Sequence, residues 1–190
     1  MSNRMSEIQT TRPLRADARR NYEKLVDAAR QAFAEQGTSA SLEAVAEAAG
    51  VGIGTLYRHF PNRQALLEAV YVGEVDAMAR AARELGDRTP WDAVEDWLRL
   101  YLGFAATKRA LMDAMLDAAP DSEVLIACRT AFSQAGTELI DRAQAAGAIR
   151  SDVEFADVAR MVGQIALTPN ADPDAKERMF RIVLDGLRAS

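Results

Sequence analysis

The sequence predicts an all-α protein, and three observations support this fold class. Alanine is abundant, runs of β-branched residues are short, and apolar residues recur at helical spacing between glycine and proline breakers. No segment shows the alternation of apolar and polar residues that is typical of a β-strand. We therefore expect about nine helices, arranged as a three-helix N-terminal head and a larger helical body.

The predicted helices divide the chain into three parts. Residues 1–16 are polar and aperiodic, with three arginines and one proline, which indicates a flexible arm. The head is expected over 17–62 and the body over 63–190. Within the body, a fourth helix is predicted from Asn62 to about Leu85, and proline and glycine breakers separate further helices at 90–107, 108–118, 121–146, 153–167 and 173–188.

The first two helices of the head have clear start and stop signals. An apolar stripe predicts a first helix from Asp17 that ends at Gly37, with Tyr22, Leu25, Val26, Ala29 and Phe33 on one side. Ser41 is a good N-cap for a short second helix because its hydroxyl can accept from a free amide of the first turn. Gly50 ends that helix, where a left-handed backbone favours glycine.

Charge is unevenly distributed along the chain. The net charge is −5, but residues 1–63 carry 9 Lys/Arg and 7 Asp/Glu, a balance of +2. The remaining residues carry 14 and 21, a balance of −7. We therefore expect only the head to approach a polyanion such as DNA.

Composition argues against several other classes of protein. The single cysteine, Cys128, cannot form an internal disulfide and fits a reducing cytoplasm. One histidine and one cysteine exclude most catalytic triads and metal clusters, so we expect no enzyme activity, no metal and no cofactor. No apolar run approaches the ~20 residues of a membrane span.

The segment from Ser41 to Arg63, SLEAVAEAAGVGIGTLYRHFPNR, is the most informative part of the sequence. It contains two short predicted helices joined by a glycine-containing turn, which is the layout of a helix-turn-helix. In the second helix, Ile53, Leu56 and Phe60 lie at i, i+3 and i+7 and are expected to face the core. The opposite face is small, polar or basic and can lie in the major groove of DNA.

Each residue of that face has a predicted contact. Gly52 and Gly54 let the backbone approach closely, Thr55 and Arg58 can reach base edges or phosphate, and Tyr57 and His59 can donate to phosphate. Arg63 and the free amides around it, at the start of the next helix, form a second phosphate site, and Ser41 with its helix start forms a third. Taken singly, these residues are also compatible with a solvated surface or, for Tyr57, the edge of the core.

The string AVAEAAGVGIGTLYRHFPNRQALLEAV resembles the DNA-binding signature of the TetR family of bacterial regulators. The resemblance covers about Asp17 to Val70 and implies a homodimer, a ligand-binding body and repression that a small molecule relieves. Two positions depart from the family pattern. Gly52 replaces a frequent serine or threonine, so that hydroxyl contact is not carried over, and Arg63 replaces a frequent lysine. From Trp91 onward, the chain loosely resembles the SbtR-like subgroup.

The resemblance assigns two roles to the body. The last two predicted helices are expected to pair with their copies in a dimer, through Val158, Met161, Val162, Ile165, Met179, Ile182, Val183 and Leu187. A dimer would read two half-sites about 34–36 Å apart. A ligand pocket is predicted among Trp97, Tyr101, Phe104, Met112, Met115, Cys128, Arg129 and Phe132, with Gln164 as a further polar anchor. A stripe of aromatic residues and methionines is also typical of plain core.

Two rival functions remain at this point. An enzyme would need a constellation of reactive groups that the sequence lacks. A helical interaction module or ligand carrier would explain the acidic body but not the GTLYRHF face. Binding to duplex DNA with a steep salt dependence separates a regulator from both.

Overall fold

The computed structural model is all-α and describes the backbone of residues 4–118, 123–169 and 171–189. Side chains are described within those ranges from residue 16 onward, apart from 106–110, 112 and 115–118. In this part of the chain there are eight α-helices: α1 (Arg4–Gln36), α2 (Leu42–Ala48), α3 (Ile53–His59), α4 (Arg63–Glu84), α5 (Pro90–Ala118), α6 (Glu123–Ala145), α7 (Phe155–Leu167) and α8 (Pro173–Leu187). A short 3₁₀ helix, Leu85–Asp87, follows α4.

Two helix boundaries differ from the sequence prediction. Helix α1 begins at Arg4, within the segment that was predicted as a flexible arm. Helix α5 is continuous where two helices, 90–107 and 108–118, were predicted. Helix α1 continues through Pro13, a residue that normally breaks a helix, and the contacts of the described residues do not explain this extension. The continuity of α5 has a physical reason, because extending an existing helix avoids the cost of nucleation. The segment around residue 107 contains no glycine or proline to stop it.

Several predicted helix ends are confirmed. The Ser41 hydroxyl accepts from the Ala44 amide at 3.3 Å and caps α2, and Asn62 Oδ1 accepts from the Ala65 amide at 2.9 Å and caps α4. Gly37 and Gly50 have φ of 74° and 67°, the left-handed conformation that a tight turn after a helix requires. These local signals therefore fix the end of α1, both ends of α2 and the start of α4.

The chain forms two compact units, Met1–Val70 and Tyr71–Ser190. The boundary falls inside α4, eight residues later than the sequence prediction of 62. Leu66, Leu67 and Val70 on the first two turns of α4 are buried. The head therefore includes these turns, because a three-helix head is too small to bury its apolar faces without them.

The first unit has a small core made by one face of each helix. Leu25, Ala29 and Phe33 of α1 are buried, as is Leu56 of α3. Tyr22 and Ile53, which the helical spacing predicted to be buried, are instead exposed by 41% and 37%. Both lie at the edge of the core: Tyr22 is one turn before buried Leu25 and packs on one side against His59 and Phe60, and Ile53 is the first residue of α3.

The second unit buries a larger core between α5, α6 and α7. Its centre is a cluster of four aromatic rings in mutual contact, formed by Trp97, Tyr101, Phe132 and Phe155. The Trp97 indole donates to the Met78 carbonyl at 2.9 Å, so its buried N–H is paired. No helix among the described residues is both long and apolar enough to span a bilayer.

Candidate functional site

The exposed face of α3 is the first candidate site. Leu56 and Phe60 anchor this seven-residue helix in the head and are 0% and 2% exposed. Gly54 and Arg58 are exposed, and Thr55 is half-buried. A Cβ on Gly52 or Gly54 would meet no atom within 4 Å, so these glycines keep the surface low rather than avoid a clash.

Aromatic side chains border this face. Tyr57 is 46% exposed, which contradicts the alternative that it only covers the edge of the core. His59 is half-buried and packs against Tyr22 and Phe60, with ring centroids 6.1 and 6.2 Å apart. Sequence reasoning missed Tyr22 as a neighbour of this face, because helical spacing assigned it to the core.

The two arginines near α3 have different surroundings. Arg58 is exposed, and its Nε donates to the Gly54 carbonyl of the same helix at 3.3 Å. Arg63 is half-buried, and its Nη1 donates to the carbonyls of Thr38 and Ala40 at 2.9 and 2.7 Å. The sequence assigned Arg63 to phosphate, but these bonds attach the loop before α2 to the first turn of α4.

Ser41 is also occupied within the head. Its hydroxyl donates to the Glu43 carboxylate at 2.8 Å while accepting from the Ala44 amide. Hydrogen bonds to its own backbone amide and to Ser41 lower the pKa of Glu43. A carboxylate therefore already lies at the start of α2, where the sequence predicted a phosphate.

The aromatic cluster is the second candidate site. Of the predicted pocket residues, Trp97, Tyr101, Phe104, Cys128 and Phe132 are buried, and Arg129 is exposed on α6. The side chains of Met112 and Met115 lie outside the described residues. The rings pack closely, with Tyr101 and Phe132 centroids 4.9 Å apart. The first structural role of these residues is therefore the core of the body.

Tyr71 adds a polar group to the interior that the sequence analysis missed. It is fully buried, and its hydroxyl has no hydrogen-bond partner among the described residues. Burial raises its pKa to about 12, with a smaller contribution from nearby Cys128. A buried donor without an acceptor is unfavourable, so it marks a point where a ligand with an acceptor would be stabilised. Tyrosine at a helical core position carries no sequence signal for this.

The exposed face of α7 and α8 is the third candidate site. Met161 and Ile182 are 44% and 71% exposed, and Met179 and Val183 are half-buried between them. They line an apolar groove of about 450 Å³ with Ile165, Arg160 and Gln164. We call this surface the α7/α8 face. Gln164, a predicted ligand anchor, lies here and not in the aromatic cluster.

Three predicted dimer residues face the other way. Val158, Val162 and Leu187 are 0–2% exposed within their own chain, so they are core residues and not interface residues. The apolar stripe on each helix is wider than one face, because the same helix must pack on its own body and on a partner. Spacing alone does not separate the two sets.

The structure describes no candidate metal centre. Within residues 4–118, 123–169 and 171–189, no group of three or more histidine, cysteine or acidic side chains is placed to hold a metal ion.

Comparison with known protein families separates the same two parts of the chain, the head and the body. Residues 25–70 match the model of the bacterial regulatory proteins of the tetR family. Residues 89–189 match the C-terminal domain of SbtR-like transcriptional regulators. The first match lies within the head, and the second lies within the body.

Solved structures resemble the whole chain. A TetR transcriptional regulator of Streptomyces coelicolor is 39% identical, with a TM-score of 0.76, over 88% of this chain and 98% of that one. A TetR regulatory protein of Mycobacterium vanbaalenii is 34% identical, with a TM-score of 0.74, over 93% and 100%.

The curated relatives match over a shorter length. An HTH-type transcriptional regulator of Staphylococcus aureus is 27% identical over 105 residues, which are 54% of this chain. The match spans 57% of that relative's own length.

Proposed function

The chain belongs to the TetR family of DNA-binding transcriptional regulators, and we propose that it is a cytoplasmic repressor that a small-molecule effector releases from a two-half-site operator. Members of this family are transcription factors and not enzymes. The proposal has three parts: DNA contact by α3, dimerisation through the α7/α8 face, and an effector site at the aromatic cluster.

The observation that carries the proposal is the two-sided character of α3. Buried Leu56 holds one side, while Gly54, Tyr57 and Arg58 are exposed on the other. A low face with one cation and donor groups fits the width of the major groove. We infer that Thr55 and Arg58 contact base edges, and that Tyr57, with His59 and the backbone at Gly52 and Gly54, contacts phosphate.

Arg63 and Ser41 have supporting roles in this proposal. The bonds from Arg63 to Thr38 and Ala40 hold the loop before α2, and Ser41 fixes the start of α2. Both act on the position of the helix-turn-helix. They therefore affect DNA binding through the geometry of the head as much as through contact with phosphate.

Dimerisation follows from the α7/α8 face. Met161 and Ile182 are exposed apolar side chains beside an apolar groove. Their exposure to water is unfavourable, so this surface is suited to burial against another protein. The same surface on a second copy has the same chemistry, as a two-fold interface requires. Two heads are needed because one short helix gives too little contact for selective binding.

The effector site is proposed at Tyr71, beside the aromatic cluster. An apolar molecule with one hydrogen-bond acceptor would give the Tyr71 hydroxyl the partner it lacks. Tyr71 is on α4, the helix that also carries the last residues of the head. A ligand that prefers one position of α4 therefore shifts the equilibrium of DNA binding, and a full reversal takes about 5.5 kcal/mol of differential affinity.

The test begins with duplexes selected from a random pool by the full-length protein. On the selected duplex, Arg58→Gln is expected to weaken binding about tenfold and to change the preferred bases. Its matched control is Arg30→Gln, which removes the same charge from an exposed position on α1. Tyr57→Ala is expected to weaken binding to all duplexes.

Two results would contradict the proposal. Equal effects of Arg58→Gln and Arg30→Gln would show that α3 is not the reading helix. If no compound in a broad metabolite screen changes the affinity for the operator, the effector part of the proposal is contradicted. The DNA-binding part would still stand.

A further inference from the structure

A cleft of about 380 Å³ lies between α4 and α6, within the second unit. It is separate from the aromatic cluster and from the α7/α8 face, with which it shares no lining residue. Its wall from α4 is Ala79, Ala82 and Arg83, and its wall from α6 comprises Ala131, Gln134, Ala135, Glu138, Leu139 and Arg142. The volume falls in the range of small-molecule sites.

Small side chains produce this cleft. Each helix presents two alanines to the other, and Ala82 and Ala135 are buried at the bottom beside Leu139. The short alanine side chains leave space between the two helices, and the cleft has a narrow apolar floor within a lining that is otherwise mostly polar. This floor can accept a short hydrocarbon chain.

Two arginines stand at the cleft without an acidic partner. Arg83 makes no hydrogen bond or ion pair with any residue that the structure describes. Arg142 donates only to the Leu85 carbonyl, at a long 3.5 Å, and its guanidinium lies 3.7 Å from the position of a Cβ on Gly86.

The nearby acid does not neutralise these cations. Glu138 is one turn before Arg142, the spacing at which helical ion pairs form. It accepts instead from Gln134 at 3.0 Å. The cleft therefore has two positive charges and one negative charge, in a body whose balance is −7 after residue 63.

Arginines without a carboxylate partner among the described residues also occur elsewhere on this body, at Arg80 and Arg178. Several others are bound to carboxylates: Arg88, Arg99, Arg150, Arg160 and Arg181. Arg83 and Arg142 differ from both groups because they line one cleft. The position of Arg83 and Arg142 on the two walls is suited to an anion between them.

We propose that the α4/α6 cleft binds a small organic carboxylate. The carboxylate oxygens accept from the Arg83 and Arg142 guanidiniums, and the hydrocarbon part of the molecule lies on the alanine floor. This site does not depend on the proposed function, because it is tested by ligand binding to the free protein.

The test is calorimetric titration of the full-length protein with hexanoate, which combines one carboxylate with a short chain. We expect a dissociation constant on the order of 1 mM. The neutral analogue 1-hexanol is expected not to bind at this site, and inorganic phosphate to bind more weakly because it makes no use of the apolar floor.

Variants locate the site. Arg83→Gln, which breaks no bond within the described chain, is expected to weaken hexanoate binding about tenfold. The double variant Arg83→Gln/Arg142→Gln abolishes it. The matched control is Arg80→Gln/Arg178→Gln, which removes the same charge from two exposed arginines outside the cleft. We expect this control to change the dissociation constant for hexanoate by less than about twofold. Glu138→Gln is expected to strengthen binding, because it removes a like charge.

Three results would overturn the proposal: no heat of binding with hexanoate, equal loss in the Arg83 variant and the Arg80/Arg178 control, or equal binding of hexanoate and 1-hexanol. Each leaves the DNA-binding proposal intact, since that is measured with duplex. Conversely, if the protein binds hexanoate as expected but does not bind duplex DNA, only the proposed function is contradicted.

Discussion

The head and the body expose opposite kinds of surface. Over α3, the head presents glycine, threonine, tyrosine and arginine to solvent. Over α7 and α8, the body presents methionine and isoleucine, with Ile182 71% exposed. A polar face remains stable in water until DNA replaces part of the hydration, whereas an apolar face this large favours a protein partner. The partners proposed for the two units differ accordingly.

Their interiors differ as well. The head has a small core, and Arg63 adds hydrogen bonds that hold one loop. The body has an extensive aromatic core, but no side chain that the structure describes gives the Tyr71 hydroxyl a hydrogen-bond partner. Polar groups thus add to the stability of the head, while at least one polar group lowers the stability of the body. Four predictions test this comparison.

The largest effect is expected at the α7/α8 face. Met161→Asp/Ile182→Asp places two charges in the proposed interface and should convert a dimer to a monomer, with a loss of operator affinity of about a hundredfold or more. Sedimentation and operator titration measure the two effects. Ile126→Asp is the control, because Ile126 is 59% exposed on α6, outside the groove. A dimer that survives the double change would refute the assignment of this face.

The next effect is on the packing of the body. A Cβ at Gly136 would overlap the ring of Phe155, which is buried against Trp97 and Phe132. Gly136→Ala should therefore lower the free energy of unfolding by about 3 kcal/mol. Gly103→Ala is the matched helical control: Gly103 is exposed on α5 with open space around it, and the change should stabilise the protein by up to about 1 kcal/mol. Chemical denaturation measures both, and equal effects would mean that the Phe155 ring readjusts.

The third prediction separates two arginines of the head. Arg63→Gln removes the bonds to the Thr38 and Ala40 carbonyls and should cost about 2 kcal/mol of stability. Arg58→Gln should leave the melting temperature unchanged while operator affinity falls. If Arg63→Gln weakens DNA binding without a change in stability, its contact with phosphate outweighs its bonds to the loop.

The smallest effect is expected at Tyr71. Tyr71→Phe removes a buried unpaired hydroxyl and should stabilise the body by about 1 kcal/mol. The fold favours the neutral phenol, so the contribution of Tyr71 to stability is fully present below its ordinary pKa of 10.0. It is lost as the pH rises toward the folded pKa of about 12. The variant should lose less stability than wild type over this pH window.

The control for Tyr71 is Tyr57→Phe, at an exposed position where no gain in stability is expected. Tyr101 contributes to the same alkaline loss in both proteins, because burial also raises its pKa. A destabilising Tyr71→Phe would mean that the hydroxyl has a partner in solution.

The sequence by itself determined the fold class, the family and the helix ends of the head other than the start of α1. Ser41, Asn62 and Gly50 act on atoms within a few residues of themselves, so their effect is local and readable from the chain. The α3 residues were predicted for the same reason: one helix of seven residues positions them all.

Only the tertiary structure decided which side of an apolar helix faces inward. In the folded chain, Val158 and Val162 are buried while Met161 is exposed. Arg63 donates to carbonyls more than twenty residues away in sequence. The tertiary structure also brought Arg83 and Arg142 to one cleft and buried the Tyr71 hydroxyl away from any partner among the described residues. Each outcome depends on neighbours that are distant in sequence, and periodicity contains no information about them.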